Sequence, residues 1–318
     1  MHMPLDSSLL SGLRCFEVAA RLLSFTKAAA ELSLTQGAVS QQIRHLEDRL
    51  GYALFTRQHR AIALTQKGAT LFDCTSSAFL GIEKTLNHLG QSKAPLQINC
   101  SPSFALQWLM PRLTDFHRLH TDIPVRLKAE FQTLDRHRML AEDIDVAIRF
   151  DPGQYETLRA TPILDEYLLP VATPEYLAEH PEFAAGQSLA GIELLHDFSP
   201  WDGAPEFIEW RTWLEAARPD WLAAAAGPQF NLASLTISAA LSHQGVAVAR
   251  TALVYEELEQ GRLINVFSRP VPAPARYMLL TEREEDARVA AFSNWLMDEC
   301  HRFSEARAKM LLRQSPTR

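Results

Sequence analysis

Apolar residues at Leu9, Leu13, Phe16 and Ala20 recur in steps of three and four, which predicts a first helix with one buried stripe. A shorter helix follows, with Thr26 as its candidate N-cap, Phe25 as a staple, and Ala28, Ala29, Ala30 and Leu32 as a small-residue surface for close packing. Ser33-Leu34-Thr35 breaks that pattern, and the next helix is the sharpest local signal in the chain. Thr35 can cap it and Gly51 stops it after Leu50, while Val39, Ile43, Leu46 and Leu50 fall within one narrow sector of the helical wheel. Gly37, Gln41 and Arg44 point away from that sector, with Gln36 and Ser40 on its flank.

Ala53 to Thr56 and Ile62 to Leu64 then read as two short strands around a basic tip, Arg57-Gln58-His59-Arg60. A long helix from about Thr65 to Gly90 carries Phe72, Phe79 and Leu86 seven residues apart, each followed three residues later by Thr75, Ile82 or Leu89. That heptad seam predicts a dimer through Phe72, Phe79, Ile82, Leu86 and Leu89. Gly90 to Pro95 is a polar, helix-breaking linker. Beyond it, short apolar runs alternate with amphipathic helices, the pattern of an α/β domain. Candidate strands are Leu96 to Cys100, Val125 to Ala129, Asp145 to Phe150, Val246 to Ala249 and Met278 to Thr281. A last helix, about Asp286 to Phe303, presents Val289, Phe292, Trp295 and Leu296 on one face, and residues 304–318 read as a loose tail.

Charge sharpens the division. Residues 1–68 hold eight Lys/Arg against five Asp/Glu, a surplus of three that leaves −10 for the rest of a chain whose net charge is −7. A mildly basic head on an acidic body suits a DNA reader attached to a domain that should not adhere to DNA. The four cysteines (Cys15, Cys74, Cys100, Cys300) are widely spaced, which reads as small buried hydrophobes in a reducing compartment. His117, His120 and His137 lack a carboxylate at zinc-helix spacing, so neither a metal nor a cofactor is expected. No apolar run is long enough to span a bilayer and the first 20 residues lack a secretory pattern, so the expectation is a cytoplasmic protein without a membrane partner. G-x-S-x-G, G-x-x-x-x-G-K, G-x-G-x-x-G and H-E-x-x-H do not occur, which argues against an enzyme.

A helix, a short helix, a tight break and a capped helix with a polar N-terminal face can seat that last helix in the major groove of double-stranded DNA. The candidate DNA-binding residues are Thr35, Gln36, Gly37, Ser40, Gln41 and Arg44, with Arg57, His59 and Arg60 of the hairpin placed for backbone contacts. The alternative from periodicity alone is an ordinary three-helix cluster with a solvated face.

Leu13 to Ala20, Ser24 to Ala29, Leu34 to Ile43, Leu46-Glu47, Leu50-Gly51, Leu54-Phe55 and Leu64-Thr65 together resemble the DNA-binding domain of LysR-type transcriptional regulators. Gln41 stands where many members carry arginine, which implies a base preference of its own. Ser103-Phe104, Trp108-Leu109, Asp145 to Arg149, Leu194 to Asp197 and Gln244 to Ala247 are similar to the subgroup containing the glycine-cleavage activator, the β-lactamase regulator and the D-serine deaminase activator. The resemblance implies a winged helix-turn-helix over residues 1–66, a dimerising linker helix over 67–92 and an effector domain over 95–303. It further implies a periplasmic-binding-protein-like pair of Rossmann-like subdomains, the first about 95–164 with 268–303 and the second about 165–267. A homotetramer built as a pair of dimers, and RNA polymerase as a further partner, follow from the same likeness.

An amino acid or related carboxylate is the expected effector, and the likeness to the subgroup with the D-serine deaminase activator puts D-serine first among them. Helix N-termini near Ser101 and Ser103, and near Asn231 and Ser234, offer free backbone donors, and Arg149 and Asp151 close a strand at the cleft mouth. The resemblance adds Phe104, His196, Trp201 and Tyr277 as ligand candidates. A ligand-independent repressor, an enzyme and a transporter's solute-binding protein are the competing readings.

Overall fold

A computed structural model describes residues 5–58, 61–89, 94–224, 227–282 and 286–314. The chain divides into two compact units, Met1–Ser92 with Arg136–Glu142, and Lys93–Asp135 with Asp143–Arg318.

In the first unit, α1 (Ser7–Leu22), α2 (Phe25–Glu31) and α3 (Gln36–Leu50) enclose a core of Phe16, Val18, Ala28, Val39, Ile43 and Leu46. α1 is capped by Asp6, whose carboxylate accepts the Leu9 N–H at 2.9 Å. The cap of α2 is Ser24 rather than Thr26: its Oγ accepts the Lys27 N–H at 3.3 Å, and Phe25 is already the first helical residue. Phe25 packs edge-on against Phe55 at 5.3 Å, and the helix starts two residues earlier than a Thr26 cap would place it. α3 begins and ends as expected, with Thr35 Oγ1 accepting the Ala38 N–H at 3.2 Å and Gly51 closing it at φ +78°, a left-handed turn suited to glycine.

β1 (Phe55–Gln58) and β2 (Ala61–Leu64) form the antiparallel hairpin. It starts two residues later than the sequence pattern predicts, because Leu54 is buried. Its N–H donates to Glu47 Oε1 at 2.7 Å and its carbonyl accepts the Thr65 N–H at 2.9 Å, tying the wing to α3 and to the start of α4 (Gln66–Leu89).

The second unit is α/β. β3 (Leu96–Cys100), β4 (Val125–Ala129) and β5 (Val146–Asp151) run parallel, followed by the long β6 (Arg159–Ala172). Between β3 and β4 lie α5 (Pro102–Phe104), a π-turn (Ala105–Leu109) and α6 (Met110–Leu119), and α7 (Arg136–Ala141) lies between β4 and β5 in the sequence. After β6 come α8 (Pro174–Glu179), α9 (Pro181–Ala184), β7 (Leu194–Asp197), α10 (Ile208–Ala217), β8 (Gln229–Phe230) and α11 (Ala233–Leu241). The chain ends with β9 (Val246–Arg250), α12 (Thr251–Glu259), β10 (Ile264–Asn265), β11 (Val271–Thr281) and α13 (Ala287–Gln314).

Strand order is β4-β3-β5-β11-β6-β9-β7-β8, with β10 on β6. β6 and β11 are long enough to serve both halves of this curled sheet, so the chain crosses between two Rossmann-like halves on adjacent antiparallel strands. β6 escapes sequence reading because Pro162, Asp165, Glu166 and Pro170 interrupt its apolar run. One apolar core gathers Ile98, Phe104, Trp108, Phe150, Tyr277 and Phe292, and a second gathers Leu168, Phe183, Trp210, Trp213 and Val248.

The loose tail expected from residue 304 is corrected by α13, which runs on to Gln314. Arg307 and Met310 are buried and extend the inward stripe of Cys300 and Phe303. Among the described residues no helix is long and apolar enough to cross a membrane.

Candidate functional site

Two surfaces carry chemistry. The cap Thr35 and, on α3, Gln36, Gly37, Gln41 and Arg44 are exposed and Ser40 is half-exposed, opposite a face buried through Val39, Ile43 and Leu46. This face offers amide, hydroxyl and guanidinium groups on a rigid, doubly capped helix. Arg57 lies on β1, with its side chain outside the described residues, as are His59 and Arg60 altogether. On α4, Ile82 and Leu86 are 56% and 63% exposed, whereas Phe72 and Phe79 are partly buried; Phe72 packs on the helical core and Phe79 lies under the Arg14 guanidinium at 5.6 Å. The side chain of Leu89 lies outside the described residues.

The second surface is a cavity of about 240 Å³ beyond the C-terminal ends of β3, β4, β5 and β7, where helices and loops splay away from a doubly wound sheet. Ser101 follows β3, Phe131 to Leu134 follow β4, and Arg149 to Pro152 with Gln154 and Tyr155 end β5 and its loop. Pro200, Trp201 and Asp202 close it from beyond β7, and the Thr133 hydroxyl donates to Asp202 Oδ2 at 2.5 Å.

Arg149 dominates the electrostatics. Its NH1 donates to the carbonyls of Ile148 at 3.0 Å and Asn99 at 3.5 Å, and its NH2 to Asn99 Oδ1 at 2.5 Å and the Gln132 carbonyl at 3.3 Å. Among the described residues Nε has no partner, and no carboxylate forms an ion pair with this buried guanidinium. Burial pulls its pKa below the ordinary arginine value. Asp151 is occupied on both oxygens, Oδ1 by the Gly153 N–H at 2.7 Å and Oδ2 by the Tyr155 hydroxyl. The Tyr155 phenol is pushed up, chiefly by burial and then by that carboxylate.

Of the expected ligand residues, Ser101, Arg149, Asp151 and Trp201 meet in this cavity, and the others do not line it. The Ser103 hydroxyl accepts the Ser234 N–H at 2.9 Å, so these two groups satisfy each other instead of waiting for a carboxylate. Ser234 lies inside the first turn of α11, not ahead of it, and Pro102 removes a donor from the very short α5. Asn231 is exposed beyond the cavity. Phe104 and Tyr277 pack with ring centres 4.1 Å apart, tilted by 36°, within the core. His196 is buried against Phe207 at 4.4 Å, neither ring nitrogen has a partner among the described residues, and burial pulls its pKa down to about 4. The loop residues that sequence reasoning misses, Phe131 to Leu134 and Gln154 to Tyr155, can be found by extending each parallel strand past its C-terminal end.

A capped recognition-type helix with a hairpin wing, followed by a two-halved α/β fold with a cavity at its strand ends, defines a DNA-binding transcriptional regulator with an effector-binding domain. Residues 10–69 match the model of the bacterial regulatory helix-turn-helix of the lysR family, and residues 89–301 match that of the LysR substrate binding domain. The glycine cleavage system transcriptional activator of Escherichia coli K12 is 36% identical over 292 residues, covering 91% of this chain and 92% of that one. The HTH-type transcriptional regulator DsdC of the same strain is 32% identical over 294 residues, covering 91% and 93%. Among solved structures, the effector domain of AmpR from Pseudomonas aeruginosa aligns with a TM-score of 0.56 at 26% identity, covering 68% of this chain and 99% of that one. The chain belongs to the LysR family of transcriptional regulators.

Proposed function

We propose that this regulator is controlled by a small amphiphile with an anionic group, an amino acid or related carboxylate, bound in the cavity with its negative end against Arg149. The observation that carries the reading is the buried guanidinium with an unpartnered Nε and only neutral hydrogen-bond acceptors, since a buried cation is costly until a counter-charge arrives. Phe131, Phe150, Tyr155 and Trp201 supply apolar surface for the rest of the molecule, and Asp202 suits an ammonium group. The kinship with an activator named for the glycine cleavage system supports a small amino acid. Calorimetry of the full chain against glycine, D-serine and acetate tests it. Arg149→Gln is expected to weaken binding at least about tenfold, the worth of a charge-assisted hydrogen bond. Unchanged affinity in that variant overturns the assignment.

DNA sequence is read, in the same proposal, by Gln36, Ser40, Gln41 and Arg44 of α3, with Arg57, His59 and Arg60 on the phosphates. Gln41→Ala is expected to cost about 1–3 kcal/mol of discrimination at one base pair while leaving non-specific affinity and its salt slope unchanged. Equal loss on operator and random duplexes in a gel-shift titration sinks that role. The exposed Ile82 and Leu86 on α4 support self-association through this helix, which would set the spacing of two half-sites in the cytoplasmic target.

A further inference from the structure

We propose that Asn99 sets the charge of the cavity, holding Arg149 in position while insulating its guanidinium from the Glu130 carboxylate. The inference rests on the reading of the cavity as the effector site. Asn99 is fully buried on β3, with Oδ1 accepting from Arg149 NH2 at 2.5 Å and Nδ2 donating to Glu130 Oε1 at 2.6 Å. A guanidinium only donates and a carboxylate only accepts, so the amide has one orientation that satisfies both neighbours. A neutral side chain with an acceptor at one end and a donor at the other is therefore required between them. Glu130 is instead paired with Lys128 at 2.8 Å. The arrangement leaves the positive charge of Arg149 free for a ligand, yet fixes its orientation through four hydrogen bonds.

Aspartate at this position would reverse the logic. It would pair directly with Arg149, which holds the carboxyl down, whereas full burial and the second carboxylate of Glu130 push it up and favour taking up a proton as pH falls. The other groups facing Arg149 are Cys100, Tyr155, Glu130 and Asp151. The Cys100 thiol is pushed up to about 12 by burial and the Tyr155 phenol is raised as well, so neither ionises between pH 5 and 8. A protonated carboxyl in place of the amide matches it in shape and in charge, so an acid rescue of binding would report the insulating role and not the fold.

The full chain, as wild type, Asn99→Asp and Arg149→Gln, is titrated with glycine, D-serine and acetate at pH 8 and at pH 5.5. Intrinsic tryptophan fluorescence gives the signal, because Trp201 is the tryptophan that lines the cavity. Asn99→Asp is expected to weaken binding at least about tenfold at pH 8 and to return to within about threefold of wild type at pH 5.5. Wild-type affinity of Asn99→Asp at pH 8, with binding lost in Arg149→Gln, overturns the insulating role and leaves the cavity reading standing. Retained binding in Arg149→Gln, or no response of the wild type to any of the three, overturns the cavity reading and this inference with it. Should Asn99→Asp fail to fold, Asn99→Ser keeps the position neutral but releases the guanidinium. A loss of about tenfold without pH dependence is then expected, and wild-type affinity there overturns the proposal.

Discussion

Replacing Arg250 by Met is expected to destabilise the effector domain by about 3–5 kcal/mol, because it strands two carboxylates in the interior. Arg250 is buried at the end of β9, where its Nε donates to Glu209 Oε1 at 2.7 Å and its NH2 to Asp197 Oδ2 at 3.1 Å. All three side chains are shielded from water. The guanidinium also lies 4.0 Å from the centre of the Phe150 ring, which lines the cavity, so the loss is expected to reach effector binding as well. Adding Asp197→Asn and Glu209→Gln to the Met variant should recover much of the deficit, since neutral groups need no cation. Denaturant unfolding of the three chains decides the matter, and equal instability of the single and the triple variant would sink the account.

The same network makes the deficit depend on pH. Burial pushes the Asp197 carboxyl up to about 6. A raised carboxyl pKa means the folded state binds the proton more tightly, so this contribution is fully present below the unfolded value and is lost as pH rises through about 6. Without Arg250 the proton is held tighter still. The Arg250→Met deficit should therefore be greatest at pH 8 and smaller by roughly 1–2 kcal/mol at pH 5. His196, one residue away, works in the opposite direction: with its pKa down at about 4, its contribution is present above 6.5 and lost as pH falls towards 4. Being common to wild type and variant, it cancels in their difference. A deficit that is flat between pH 5 and 8 would refute the buried-charge explanation.

Local rules make the DNA-reading helix legible, because Thr35, Gly51 and the apolar spacing of Val39, Ile43 and Leu46 all act within one element. Arg149 and Asp151 are legible for a similar reason: a charged pair closing an apolar strand marks an end where a sheet opens. Ser103 misleads because its partner, Ser234, is 131 residues away, and no local pattern tells a free hydroxyl from one already engaged. The loops at 131–134 and 200–202 converge on the cavity only through strand order, which periodicity does not encode. Thr26 is the cap that the sequence suggests, whereas Ser24 caps the helix two residues earlier, with Phe25 in its first turn and packed on Phe55 from the hairpin. Asn99 draws no notice inside a short strand, since its meaning lies in two charged neighbours from other segments.

Periodicity cuts the C-terminal helix short at Phe303 because Arg307 interrupts an otherwise apolar stripe and a charged residue there reads as solvated. Its NH1 instead donates to the Asp165 carbonyl at 2.6 Å and to Thr251 Oγ1 at 3.3 Å, and it lies 3.4 Å from Glu166 Oε2. Tyr167 and Phe303 flank the guanidinium at 5.0 and 5.4 Å. Glu166, in the middle of the crossover strand β6, is fully buried, and burial raises its pKa while Arg307 lowers it. Arg307→Met leaves that carboxylate with the Thr251 hydroxyl and the N–H groups of Ala252 and Tyr167, but with no cation. Three donors soften the loss, so about 2–4 kcal/mol is expected for the substitution. Truncation after Ser304 also removes the buried Met310, which adds roughly 2–5 kcal/mol by the usual cost of emptying a core position. Glu166→Gln should spare the Met variant most of its penalty, because an amide can keep accepting from Thr251 without needing a counter-charge. The measurement is thermal unfolding of full-length and truncated chains side by side. A loose tail would give coincident curves, and coincidence would return the helix beyond Phe303 to the status of an ornament.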